Sequence, residues 1–268
     1  MGIANKVLSE LQDMELLKAE ENSRYAVTLK GYEFLEPYRV KKAIFMAAGF
    51  GSRMVPVTLN TPKPLIKVHG KRIIDTLLDA VLDAGITDIT IVRGYLGEQF
   101  DLLLKKYPMI KFVENPIYNE ANNISSAYVI RDMLANAYVL ESDLLLYNPK
   151  IIRKYEYTTN YLGMPVDVTD DWCFETRKGY ITKIRVGGEH VHHMFGISYW
   201  NKEDAAKMEN DIEKVFKSPG GKERYWDEVA LKECIKDYKV WVRPVEKGDI
   251  IEIDTYNELK QIDPIYNV

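Results

Sequence analysis

The residues best equipped for chemistry begin with a glycine loop. The apolar run Ala43-Ile44-Phe45-Met46-Ala47 leads into Ala48-Gly49-Phe50-Gly51-Ser52-Arg53, and further on stands Lys63 within Thr61-Pro62-Lys63-Pro64-Leu65. Glycines after a strand let the backbone approach a ligand closely and turn its N–H groups toward phosphates. Ala47, Ala48, Gly49, Gly51 and Ser52 are therefore candidate nucleotide-binding residues. Arg53 and Lys63, on a loop pinned by Pro56, Pro62 and Pro64, are candidate catalytic cations. Such a pair suits a triphosphate whose departing pyrophosphate gains charge. The loop is not the Rossmann dinucleotide fingerprint, because Met54 stands where the third glycine belongs, and no Gly-Lys-Ser/Thr makes it a P-loop.

Carboxylates form the second group. The strand Ala137-Tyr138-Val139-Leu140 ends in Glu141-Ser142-Asp143, and an acid at the carboxyl end of a buried strand lies where open α/β sheets bind ligands. Near the C-terminus Ile250-Ile251-Glu252-Ile253-Asp254 alternates, so Glu252 and Asp254 share a strand face. With Asp143 they make a hard oxygen site suited to Mg²⁺. Asp254 has a competing role, since it precedes Thr255-Tyr256-Asn257-Glu258-Leu259 and could cap that helix. Aromatic residues beside acids, Asp171-Trp172 and Tyr225-Trp226-Asp227-Glu228, suit an organic cation, which aromatic faces and carboxylates hold. Ordinary core packing is the alternative for both tryptophans. His190 and His192 share a strand face without a defined third ligand, so a transition-metal site is not expected of them or of His193.

Taken together, GxGxR, PxT and PKPL, carried by Gly49–Arg53, Pro56–Thr58 and Pro62–Leu65, resemble the signature of nucleotidyltransferases that activate sugar phosphates and choline phosphate with NTPs. The resemblance spans residues 40–262 and implies a Rossmann-like α/β fold with a mixed, mainly parallel sheet, and a catalytic Mg²⁺ held at Asp143. The segment Asn122-Asn123-Ile124-Ser125-Ser126 resembles the pyrimidine-reading stretch of CTP:phosphocholine cytidylyltransferases, which assigns Asn123 and Ser126 to the base. In the same family a Tyr-Trp-Asp element contacts the acceptor; its match here is Tyr225, Trp226 and Asp227, with Trp172 as a further candidate. The resemblance implies transfer of CMP from CTP to phosphocholine, giving CDP-choline and pyrophosphate. Phosphoethanolamine or 2-aminoethylphosphonate as acceptor, a sugar-1-phosphate enzyme, and a winged-helix regulator with a nucleotide-sensing domain are the alternatives.

These residues need elements to hold them. Strands at 43–47, 89–92, 111–113 and 137–140 alternate with helices at 73–84, 98–106 and 125–134, which implies a doubly wound sheet. Beyond residue 165 strand-like stretches dominate, at 165–169, 180–186, 193–199 and 239–245. Ahead of this domain, residues 1–39 read as an amphipathic helix over 3–17, a strand Tyr25–Leu29 and a short helix from Lys30. They resemble the back half of a winged helix whose leading helices are missing, a remnant suited to packing or dimerisation. Seven basic and seven acidic side chains in residues 1–42 give it no electrostatic footprint for nucleic acid.

Composition agrees. The chain has 268 residues, 46% hydrophobic and 28% charged, with 36 Lys and Arg against 40 Asp and Glu for a net charge of −4. Disorder and a disulfide scaffold are excluded, and polyanions are not expected partners. Two cysteines, Cys173 and Cys234, form no CxxC. The charged N-terminus is no signal peptide and no apolar run reaches membrane-spanning length, so a cytoplasmic protein without membrane insertion is expected. The oligomeric state stays open, as does a further domain beyond Val268.

Overall fold

A computed structural model describes residues 2–267. The chain divides into two compact units, one made of the residues up to Arg39 with Tyr155–Tyr157, the other of Val40–Lys154 and the residues from Thr158 on.

In the smaller unit, α1 (Ile3–Asp13) precedes a hairpin of β1 (Leu17–Ala19) and β2 (Tyr25–Val27), then α2 (Leu29–Leu35). Helix α1 stops at Asp13, short of the expected Leu17, and strand β2 ends at Val27 because Thr28 turns to cap α2. The Thr28 hydroxyl accepts the Gly31 N–H at 3.0 Å. A Cβ on Gly31 would lie 2.3 Å from the Leu16 carbonyl, so glycine is what lets α2 rest on the hairpin.

The larger unit runs β3 (Lys42–Ala47), β4 (Lys67–Val68), β5 (Lys71–Arg72), α3 (Ile73–Asp83), β6 (Asp88–Arg93), β7 (Lys111–Glu114), α4 (Ile124–Val129), β8 (Ala137–Glu141), β9 (Leu144–Leu146), β10 (Asn160–Arg177), β11 (Tyr180–Trp200), α5 (Lys202–Phe216), α6 (Trp226–Glu228), β12 (Trp241–Pro244), β13 (Ile250–Glu252) and α7 (Tyr256–Ile262). Seven strands form the main sheet in the order β10-β12-β11-β8-β3-β6-β7. Strands β3, β6, β7 and β8 are parallel, while β11 runs antiparallel to β8. The sheet is mixed and mainly parallel, as the family resemblance implied.

After Lys42, strand β3 is apolar because both its faces are covered. Ala43, Phe45 and Ala47 pack into the core on the α3 side, whereas Ile44 and Met46 join the core that contains residues of α4 and α5. Three of the expected late strands merge into two long arms, β10 and β11, joined through Lys178-Gly179, both with positive φ. The expected strand at 239–245 is the shorter β12. Helix α5 was not foreseen among these strands. Its buried stripe Ala205, Met208, Ile212 and Val215 has helical spacing, and Asn201 caps its start by accepting the Asp204 N–H. The stretch expected as a helix from Glu98 is a 3₁₀ segment, Gly97–Lys105.

A third, small core holds the loop regions that matter most. Met54, Ile66, Val68, Ile73, Leu145, Ile253 and Leu259 pack together, so the glycine loop and the β13–α7 junction share one apolar base.

Candidate active site

A cavity of about 660 Å³ opens at the carboxyl ends of β3 and β8 and beyond the end of β7. Ala47, Ala48, Gly49, Gly51, Ser52, Arg53 and Lys63 all border it, so the glycine loop forms one wall. Gly51 is left-handed at φ 67°, and a Cβ there would come within 3.2 Å of both Lys63 Cβ and Thr58 Cγ2. The Thr58 hydroxyl donates to the Gly51 carbonyl at 3.0 Å, closing the turn. Glycine is thus required twice, by the backbone and by the close approach of Lys63.

Lys63 is buried, and its ammonium donates to Asp143 Oδ2 at 2.8 Å and to Asp254 Oδ1 at 3.0 Å. Burial alone would lower its pKa, but the two carboxylates outweigh that and hold it well above the usual lysine value. Arg53 reaches the same Asp254 oxygen at 2.8 Å while remaining exposed. Two cations of one loop therefore meet on acids far apart in the chain, both reaching Asp254 and Lys63 also holding Asp143.

Asp254 does not cap the following helix. Thr255 does so, accepting the Glu258 N–H at 3.2 Å, while the Glu258 carboxylate accepts the N–H groups of both Asp254 and Thr255. The Asp254 side chain is left to the cations.

Glu141, Asp143 and Glu252 each place a carboxylate oxygen within 4.8 Å of the others. Asp143 Oδ1 is buried and accepts no hydrogen bond among the described residues. Burial, followed by the charges of Asp227, Asp143 and Glu252, pushes the Glu141 carboxyl well above the usual range. Burial and then Asp143 and Asp254 do the same to Glu252. Crowded acids with an orphaned oxygen call for a cation. A hard divalent ion fits this donor set.

On another wall, Asn123 starts α4. Its Oδ1 accepts the Trp226 N–H at 2.9 Å and its Nδ2 donates to Glu141 Oε1 at 3.4 Å. Ser126 also borders the cavity, 4% exposed. Trp172 and Tyr225 meet edge to face at 5.5 Å between centroids and both border the cavity, with Asp171 and Asp227 nearby in its lining. Asp227 is buried and accepts from the Tyr161 hydroxyl; burial, only partly offset by that bond, raises its pKa to about 7.

The family model described as nucleotidyl transferase matches residues 42–160. A 2-aminoethylphosphonate cytidylyltransferase from Lancefieldella rimae is 37% identical over 84% of this chain and 92% of its own length. A choline-phosphate cytidylyltransferase from Streptococcus pneumoniae is 34% identical over 84% of this chain and 97% of its own. The solved structure of the CTP:phosphocholine cytidylyltransferase from the same organism superposes with a TM-score of 0.78, covering 85% of this chain and 99% of that one. The chain belongs to the nucleotidyl transferase family.

Within this nucleotidyltransferase the site residues expected from sequence converge, with one exception. Trp226 does not border the cavity: 1% exposed, it meets Trp200 edge to face at 5.8 Å and Tyr161 in a tilted pair at 6.5 Å between centroids, in the core. The indole, expected as part of an aromatic cage, instead packs in the core: the start of α6 turns it inward and leaves Tyr225 facing out. The acidic grouping also differs from the expected one. Glu141 joins Asp143 and Glu252, while Asp254 sits on the Lys63 side of the cluster. The sequence did place Glu141 at a strand end, but nothing marked it as a site residue. Asn115, Ser125 and Gly196 also border the cavity without having been marked by the sequence: Asn115 and Gly196 arrive there by strand pairing and Ser125 by the first turn of α4, while Tyr161 reaches the site only through Asp227. The three histidines lie outside the acidic cluster; His193 sits 3.3 Å from the Thr169 hydroxyl and packs against Phe195.

Proposed function

We propose that this protein transfers the cytidylyl group of CTP to a small phosphorylated amino-alcohol, phosphocholine in the first instance, releasing pyrophosphate. One observation carries the reading: a single cavity holds the Arg53–Lys63 cations and the acidic cluster together with the Trp172–Tyr225 corner and its acids Asp171 and Asp227. The first group matches a triphosphate and a divalent ion, the second an ammonium head group. The 37% identity to a 2-aminoethylphosphonate cytidylyltransferase favours that phosphonate as the second candidate acceptor.

In this reading the acceptor's phosphate oxygen attacks the α-phosphorus of CTP in line with the leaving pyrophosphate. A phosphate monoester is largely dianionic near neutral pH, so no general base is needed. Backbone N–H groups of Gly49–Ser52 cradle the triphosphate, and Lys63 and Arg53 move from Asp254 to phosphate oxygens as charge develops. Asp143, Glu252 and Glu141 would hold Mg²⁺ with Asp254 at its edge; when bound, the ion neutralises phosphate charge and orients the α-phosphate. Trp172, Tyr225 and Asp227 position the acceptor's cationic end and exclude water from it. A cytoplasmic setting, where CTP is available, fits this reaction.

The test is pyrophosphate release with Mg²⁺, crossing CTP, UTP, dTTP and ATP with phosphocholine, phosphoethanolamine, 2-aminoethylphosphonate and a sugar-1-phosphate. Turnover of CTP with phosphocholine is expected. Turnover confined to UTP or dTTP with the sugar phosphate would overturn the proposal.

A further inference from the structure

Helix α6 is a single turn, Trp226–Glu228, and one turn has too few internal hydrogen bonds to fix its own side chains. Anchors come from other elements. Asn123 Oδ1 accepts the Trp226 N–H at 2.9 Å, and the Tyr161 hydroxyl donates to Asp227 Oδ1. Tyr161 stands on β10, opposite Ser198 of β11 and Val242 of β12, with 0% of its surface exposed. Its ring meets Phe174 edge to face and lies tilted against Trp226, so the sheet interior fixes where the hydroxyl points. Burial, followed by the charges of Asp227 and Glu141, pushes the phenol pKa well above its usual value, so the hydroxyl keeps its hydrogen. Asp227 is the one side chain that accepts it among the described residues.

Asp227 borders the cavity although only 4% of it is exposed. A carboxylate so buried needs a donor to stay charged and in place. Burial raises its pKa, and the Tyr161 bond is the largest influence that lowers it. No other side chain bonds to Asp227 among the described residues, so its remaining lone pairs are available at the cavity wall. The edge-to-face corner of Trp172 and Tyr225 lines the same cavity, with Asp171 as a second acid. Aromatic faces and an anion attract a positive head group and gain nothing electrostatically from a neutral one.

We propose that Tyr161 is a positioning residue for the acceptor: its hydroxyl holds the Asp227 carboxylate at the cavity wall, and through it the enzyme selects a cationic acceptor over a neutral one of the same shape. Tyr161 does not border the cavity and acts only through Asp227. The inference deepens the acceptor reading given above and rests on it.

The experiment compares kcat/KM for phosphocholine and for 3,3-dimethylbutyl phosphate, which has carbon in place of the nitrogen, with CTP saturating. It uses the wild type, Tyr161→Phe, Asp227→Asn and the double variant, with folding checked by circular dichroism. Tyr161→Phe removes one buried oxygen and keeps the ring packing. It should lower the preference for phosphocholine about tenfold, through KM for phosphocholine, while KM for CTP and kcat at saturating acceptor stay within about twofold. Asp227→Asn should lower the preference at least as far, and Tyr161→Phe should add nothing in that background. Replacing Tyr161 by 4-aminophenylalanine puts a donor back in the same place and should restore most of the preference. A preference that Tyr161→Phe leaves unchanged, or a Tyr161→Phe effect that persists beside Asp227→Asn, overturns the inference. So does an equal rise in KM for both acceptors, which is what a purely structural role would give. A wild type that does not prefer phosphocholine over its neutral isostere overturns the ammonium reading of the cavity as well; a preference that only Asp227→Asn moves overturns the role of Tyr161 and leaves that reading standing.

Discussion

At the scale of single residues, the site divides side chains of one type into different tasks. Trp172 and Trp226 are both tryptophans beside acids, yet Trp172 borders the cavity while Trp226 is 1% exposed in the core. Trp172→Ala should raise KM for the acceptor several-fold or more with little change in KM for CTP, in steady-state assays varying each substrate. Trp226→Ala should instead cost about 3–5 kcal/mol of stability, seen as a lower denaturant midpoint. Equal effects of the two on acceptor KM, without loss of stability in Trp226→Ala, would restore the indole to the cage. Asp143 is the residue-scale test of the acidic cluster, because its Oδ1 is orphaned and its Oδ2 holds Lys63. Asp143→Asn should reduce turnover on the order of a hundred- to a thousandfold with an unchanged circular dichroism spectrum. Residues set within a local string, such as Gly51, Arg53 and Lys63, were legible in the sequence because the motif itself carries them. Asn115 and Tyr161 were not, because the side chains they bond, Ser125 and Ser126 in one case and Asp227 in the other, meet them only on folding.

At the scale of elements, the register between β8 and β11 shapes the acid cluster. Ile197 lies opposite Leu140 and Ser198 opposite Val139, which sets Gly196 beside Glu141 at the strand end. A Cβ on Gly196 would lie 2.3 Å from Glu141 Oε2 and 2.6 Å from its Cδ and Cγ, so the whole Glu141 side chain would have to move. Gly196→Ala should therefore displace that carboxylate, raising the Mg²⁺ concentration for half-maximal activity about tenfold. An unchanged metal titration would remove Glu141 from the ion's surroundings. No string of residues announces this glycine. Its partner is on another strand, and a sequence pattern shows periodicity but not register. Helix α5 escaped notice for a related reason, since its apolar stripe is diluted by charged residues and only packing against the α4-side core makes it decisive. The α/β alternation from β3 to β8 was legible because strands buried on both faces read as unbroken apolar runs.

At the scale of the whole molecule, a net charge of −4 conceals a local excess of negative charge in the cavity. Burial holds the Asp227 carboxyl at about 7, and burial together with neighbouring acids holds Glu141 and Glu252 well above the usual range. A carboxyl whose pKa is raised on folding binds its proton more tightly in the native state than in the unfolded chain. The stability it contributes is fully present below the unfolded value near 4 and is lost as the pH rises through the folded value. Asp263 works in the other direction: the His69 and Ile265 N–H groups lower its pKa, so its contribution is lost only on acidification. The ligand-free protein should accordingly lose melting temperature between about pH 5.5 and about pH 8, where most domains are level. Asp227→Asn should flatten that decline by removing one of the titrating groups. CTP with Mg²⁺ should raise the melting temperature more at the alkaline end, because the ion neutralises the acids that the fold has crowded together. Differential scanning fluorimetry over that pH range, with and without ligands, measures all three. A ligand-free melting temperature that rises with pH would show that these carboxylates are relieved by something other than a bound cation.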